Sequence, residues 1–152
     1  MTDPIEKLRE YGYELPAPKA PVASYAPVTR SGNIVYVSGQ ISSNENGAVQ
    51  GLLGDTMNVV QGANAAELAA VNILAQIVHN AGVPLTEVKR LLKITVLVAS
   101  TADFFEQHLV ANGASDLFLA VLGDKGSHAR AAFGVAALPL GAAVEIEAVV
   151  EV

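Results

Sequence analysis

The chain has 152 residues, enough for one domain with a real core and too few for two, and its 9 basic against 15 acidic side chains give a formal net charge of -6. That balance argues against a broad phosphate-binding surface, hence against a nucleic-acid partner, and the absence of cysteine excludes disulfides, thiolate catalysis and cysteine-held metal centres. Hydrophobic residues make up 51% of the chain, yet the apolar run at 91–99 contains Lys93 and falls far short of the roughly 20 residues a membrane helix needs, so the surplus points to subunit contact rather than lipid.

The N-terminus, MTDPIEKLRE, has neither a basic start nor an apolar stretch behind it. A cytoplasmic location with no membrane partner is therefore expected. Asp3 and Pro4 open a short helix that Gly12 stops. Residues 15–27 contain four prolines and read as an extended arm. Two strands, 28–31 and 34–41, flank the hairpin dipeptide Gly32-Asn33. Residues 42–56 are polar and glycine-rich and read as a long loop beside a site. From 58 to 81 the positions Ala63, Ala66, Ala70, Ile73, Leu74 and Ile77 recur at helical spacing, with Gly82 and Pro84 ending the run.

Residues 88–100 form a strand rich in β-branched side chains. Asp103 and Glu106 have the spacing of a capping box, and Val110, Ala114, Leu117 and Val121 supply the apolar stripe of a second long helix ending at Gly123. Two strands, 131–138 and 143–152, joined by a Pro-Gly turn, close the chain. The fold class is α+β: a single mixed sheet with two long helices on one face. The other face needs a partner, because both alternating sets of residues 131–138 are apolar where a sheet facing water would alternate.

Arg130 stands at the start of that apolar run, and two readings fit it. It is an exposed ion-pair partner, or a planar fork of donors fixed at the edge of a core and suited to a carboxylate. Glu145, Glu147 and Glu151 share one face of the last strand by period two. They are surface charge if that face is solvated; if subunits cover it, a partly buried carboxylate orients water or moves a proton. Ser38-Gly39-Gln40 ends a strand, as a bulge or as a place where a ligand approaches the backbone. Tyr25 lies in the proline-rich arm, as a packed ring or a site wall, and Asn112 lies mid-helix. His79, His108 and His128 have no ligand spacing, so no metal is expected. No G-x-S-x-G, Walker A or G-x-G-x-x-G run occurs, which weakens serine-hydrolase and nucleotide readings.

Three segments carry a resemblance: SYAPVTRSGNIVYVSGQI at 24–41, DFFEQHLVANGASDLF at 103–118 and HARAAFGVAALPLGAAVEIEAV at 128–149. Together they resemble the reactive intermediate deaminase (Rid, or YjgF-like) family over residues 25–152, with residues 1–24 as an N-terminal helix and arm outside it. The resemblance implies a chorismate mutase-like fold and a homotrimer with ligand clefts between subunits. It also implies hydrolysis of an amino-acid-derived imine or enamine to a 2-keto acid and ammonia, without metal or organic cofactor. By that resemblance Arg130 anchors the substrate carboxylate, Glu145 positions the water, Ser38 and Gly39 supply the backbone and serine of the SGQ segment, Tyr25 is the wall tyrosine, and Asn112 is the helix asparagine across a gap. A cysteine common in the family is Ala132 here. A non-catalytic small-carboxylate binding protein is the alternative on the same scaffold, and a ribonuclease is the third reading.

Overall fold

The computed structural model describes residues 2–17 and 24–152; part of the proline-rich arm expected at 15–27 therefore lies outside the described residues. A short helix, α1 (Pro4–Glu10), begins where Asp3 accepts a hydrogen bond from the Ile5 amide at 2.7 Å. Strands β1 (Val28–Ser31) and β2 (Ile34–Ile41) form the expected hairpin, with Gly32 in the left-handed region at φ 59°. The segment read as a loop contains a small hairpin of its own, β3 (Ser43–Asn44) and β4 (Gly47–Ala48). Gln50 beyond it bridges to Ala142 and donates to the Leu140 carbonyl at 2.8 Å.

Helix α2 (Val59–His79) starts at Asn58 with a reciprocal capping box to Gln61, both bonds at 2.9 Å. It is followed by β5 (Arg90–Ala99), α3 (Gln107–Leu122), β6 (Ala129–Val135) and β7 (Val144–Glu151). The strand order β1-β2-β7-β5-β6 makes one mixed five-stranded sheet in which only β5 and β6 run parallel. Helices α2 and α3 lie on one face of it, and α1 packs on α3 through Leu8, which is fully buried. The core is the layer between: Ile73, Leu74 and Ile77 from α2, Leu117 and Phe118 from α3, Ile94 and Ile146 from the sheet. Gly113 lets the two helices touch, since a Cβ there would lie 2.9 Å from the Ala63 Cα.

Two expectations need correcting. Asp103 does not cap α3; it accepts the Thr101 hydroxyl at 2.7 Å inside a turn, so the helix starts at Gln107 with no side-chain cap. The strand expected at 131–138 begins earlier, because parallel pairing with β5 runs from Lys93 and Ala129 to Ala99 and Val135. Arg130 is thus inside a ladder rather than at its lip. As expected, a Pro-Gly turn joins the last two strands, and β5 lies between them in the sheet.

The uncovered face of the sheet carries Tyr36, Thr95, Leu97, Phe133, Glu145, Glu147 and Val149, with the rings of Tyr36 and Phe133 about half exposed. The acidic alternation of β7 falls as its period requires: Val144, Ile146, Ala148 and Val150 are buried toward the helices, and the glutamates point the other way.

Candidate functional site

The residues singled out from the sequence fall into two groups, one on each face of the sheet. Arg130 pairs in register with Ile94, which is fully buried under the helices, so its side chain leaves the edge strand β6 on the helix side. There it meets α3. Nη1 donates to Asn112 Oδ1 at 2.9 Å and to Ser115 Oγ at 3.1 Å, and Nη2 donates to the His108 carbonyl at 3.3 Å. Asn112, matched only across a gap, is thus in direct contact with Arg130. All three acceptors are neutral. Among the described residues the guanidinium has no carboxylate partner; the ion pair they contain joins Arg9 and Glu14. A guanidinium has five N–H donors, so these three bonds leave the Nε–H and one Nη2–H for something else.

The second group surrounds a β-bulge. Val37 pairs with Ala148 and Gln40 with Ile146, so Ser38 and Gly39 together oppose Glu147. The Ser38 hydroxyl donates to the Ala26 carbonyl at 2.7 Å and its amide to the Pro27 carbonyl at 2.9 Å, tying the bulge to the segment just after Tyr25, whose ring is about half exposed. Gly39 is necessary for the arrangement, because a Cβ there would stand 3.0 Å from Glu145 Cδ and closer still to its carboxylate oxygen. The Glu145 carboxylate therefore lies over bare backbone. Burial, with the like charge of Glu147 adding to it, pushes its carboxyl above the ordinary range. A cavity of about 300 Å³ opens beside the bulge on this face, bordered by Tyr36, Ser38, Lys93, Thr95 and Glu147.

Ser115 and Gln76, neither of them singled out from the sequence, help hold the two groups in place. His108, Asn112 and Ser115 are spaced i, i+4 and i+7 along α3, which brings them to one side of the helix, and that spacing was the available signal for the contact. Under the bulge, Gln40 donates to the Ser38 carbonyl at 3.1 Å and accepts from Gln76, a buried residue of α2, at 3.3 Å. The bulge is in this way braced from the helix layer. No cluster of histidine and carboxylate side chains able to hold a metal ion occurs among the described residues, nor any helix long and apolar enough to cross a membrane.

Comparison with known proteins places these features in a wider set. A family model described as Endoribonuclease L-PSP matches residues 16–152. Protein TCP17 of Trypanosoma cruzi is 45% identical over 146 residues, covering 95% of this chain and 91% of the relative. The crystal structure of a protein of unknown function from Agrobacterium tumefaciens superposes with a TM-score of 0.91 at 48% identity, over 98% of this chain and 92% of that one. The YjgF gene product of E. coli superposes with a TM-score of 0.63 at 29% identity, over 89% and 92% of the two chains.

Proposed function

Because the chain belongs to the YjgF/RidA/endoribonuclease L-PSP family, which is associated with imine and enamine deaminase activity, we propose that it hydrolyses the C=N bond of a small carboxylate-bearing imine in a cleft made by two copies of the chain. The observation that carries this reading is the state of Arg130. Its charge is held by three neutral acceptors and its Nε and Nη2 donors are left over, which is the demand a planar carboxylate meets with two parallel hydrogen bonds.

Glu145 is the partner group. A carboxylate whose proton affinity is raised by burial is a better base than a solvated one, and it lies over the bare backbone of Gly39. In the reaction water adds its oxygen to the C=N carbon and passes one proton through Glu145 to the nitrogen, giving a carbinolamine. The carbinolamine hydroxyl then gives up its proton, again through Glu145, to the nitrogen as the C–N bond breaks and the C=O bond forms, so that ammonia and a 2-keto acid leave. Tyr25 and Ser38 line the approach, and Asn112 holds the Arg130 fork. No electrons are transferred, so the step needs no redox cofactor.

Arg130 and Glu145 are on opposite faces of one sheet, so one copy cannot close on a substrate with both. The edge of β6 in one copy set against the open face of the next brings them together. A homotrimer arranged in this way also covers Tyr36, Leu97, Phe133 and Val149.

The test is release of ammonia and 2-keto acid from freshly generated imino acids. The wild type accelerates it, while Arg130→Ala and Glu145→Gln are each silent. Co-expression of the two variants recovers part of the activity, because a mixed trimer contains a cleft with Arg130 from one copy and Glu145 from another. Mixed trimers that stay silent beside an active wild type overturn the shared cleft. A wild type that binds 2-keto acids but turns nothing over is a carboxylate-binding protein instead.

A further inference from the structure

Building on the reading of Arg130 as the carboxylate anchor, we infer that Ser115 and His128 are positioning residues that aim its guanidinium through a one-way chain of hydrogen bonds. The direction of every proton in the chain follows from the partners. His128 Nδ1 stands 2.6 Å from the Gly126 carbonyl oxygen, which only accepts, so Nδ1 carries the proton. In the neutral ring Nε2 then has a lone pair, and it lies 2.9 Å from Ser115 Oγ. The serine hydroxyl must donate to it. That turns the oxygen's remaining lone pairs toward Arg130 Nη1, which donates to it at 3.1 Å. Reversing the imidazole tautomer would aim an N–H at the same oxygen, and the hydroxyl proton would have to leave the chain.

The anchor of the chain is the core. Phe118 is fully buried and meets the His128 ring edge-on, with centroids 6.0 Å apart and planes at 78°. Gly126, in the tight turn between α3 and β6, lies so close to α3 that a Cβ would stand 2.8 Å from the Phe118 carbonyl carbon. Its carbonyl is therefore fixed relative to the helix that also bears Ser115 and Asn112. With both Nη1 hydrogens committed to α3, the guanidinium plane cannot turn, and the Nε and Nη2 donors keep one direction. A long, exposed arginine otherwise loses rotamer entropy on gripping its ligand, and a prearranged fork avoids that loss.

The experiment reads the guanidinium directly. In the ligand-free oligomer, nitrogen NMR finds His128 with its proton on Nδ1, and the Arg130 Nε–H is as ordered as the backbone. Ser115→Ala and His128→Phe, the latter keeping a ring against Phe118, lower that order. Ser115→Thr, which keeps the hydroxyl, preserves it. Affinity for pyruvate in calorimetric titration follows the same ranking, with a loss of about three- to tenfold in the Ala variant, the size of one hydrogen bond. A proton found on Nε2, or an Arg130 as ordered in Ser115→Ala as in the wild type, overturns the inference. If Arg130→Ala binds pyruvate as well as wild type, the carboxylate reading of the site falls, while the order of the Nε–H still decides the positioning role by itself.

Discussion

Replacing Arg130 with alanine separates what the residue does for the fold from what it does for a ligand. On the folding side the loss is three hydrogen bonds at an exposed position, to the exposed Asn112, to the backbone of the exposed His108, and to Ser115, whose hydroxyl keeps its bond to His128. Water reaches the vacated acceptors, so the change in stability should stay within about 0.5 kcal/mol, as for other surface substitutions. On the binding side each charge-assisted bond to a carboxylate contributes about 1.5 to 3 kcal/mol. Even at the lower end two such bonds correspond to on the order of a hundredfold in affinity. Calorimetric titration of 2-keto acids, with oligomeric state and thermal unfolding followed in parallel, should show a folded assembly that no longer binds. Arg130→Lys should recover only part, since an ammonium keeps the charge without the planar fork. Unchanged affinity in the Ala variant would return Arg130 to an ordinary surface cation, and a collapsed oligomer would show that its charge serves the assembly rather than the ligand.

Gly39→Ala should fold, because the new methyl meets the end of the Glu145 side chain rather than backbone, but turnover should fall as that carboxylate is displaced; full activity in a steady-state assay would refute the placement. For Glu145 the folded carboxyl holds its proton above the ordinary value of 4.5, so the folded chain binds more protons than the unfolded one and stability declines as pH rises through that window. Glu145→Gln should lack this decline and gain on the wild type above the window but not below it, as read by urea unfolding at acid and neutral pH. Gly113→Ala should lower stability by about 1 to 3 kcal/mol through overpacking against the Ala63 backbone, with thermal unfolding as the measure. RNA should bind weakly at physiological salt, given 9 basic against 15 acidic residues; tight binding that drops steeply with added salt in a filter assay would contradict this.

Periodicity made most of the fold legible. The α2 stripe from Ala66 to Ile77 and the α3 stripe from Val110 to Val121 are buried as their spacing demands, and Gly32 turns the hairpin it was expected to turn. What was not legible depends on distant partners. Nothing in Ala129 or Arg130 favours a strand; they become one because Lys93 and Ile94 offer a parallel ladder 36 residues earlier in the chain. Asp103 has the right offset for a cap, yet the Thr101 hydroxyl two residues away competes for it and wins. The insertion of β5 between the last two strands is likewise a matter of tertiary pairing, which no local run encodes.

The candidate site divides along the same line. Arg130, Glu145 and the SGQ bulge were recognisable as residue types in strand context, whereas the contact of Arg130 with Asn112 and Ser115 joins positions 18 and 15 residues apart and appears only once α3 is laid across the edge of β6. Ala132 shows how position then constrains chemistry. Two residues beyond Arg130 in the same strand, it shares the helix-side face and packs on the core, so that position offers a methyl group with neither nucleophile nor donor. In the proposed reaction the base is therefore not the neighbour of Arg130 in β6 but the half-buried carboxylate of Glu145, which lies on the opposite face of the sheet and under that reading is supplied by another copy.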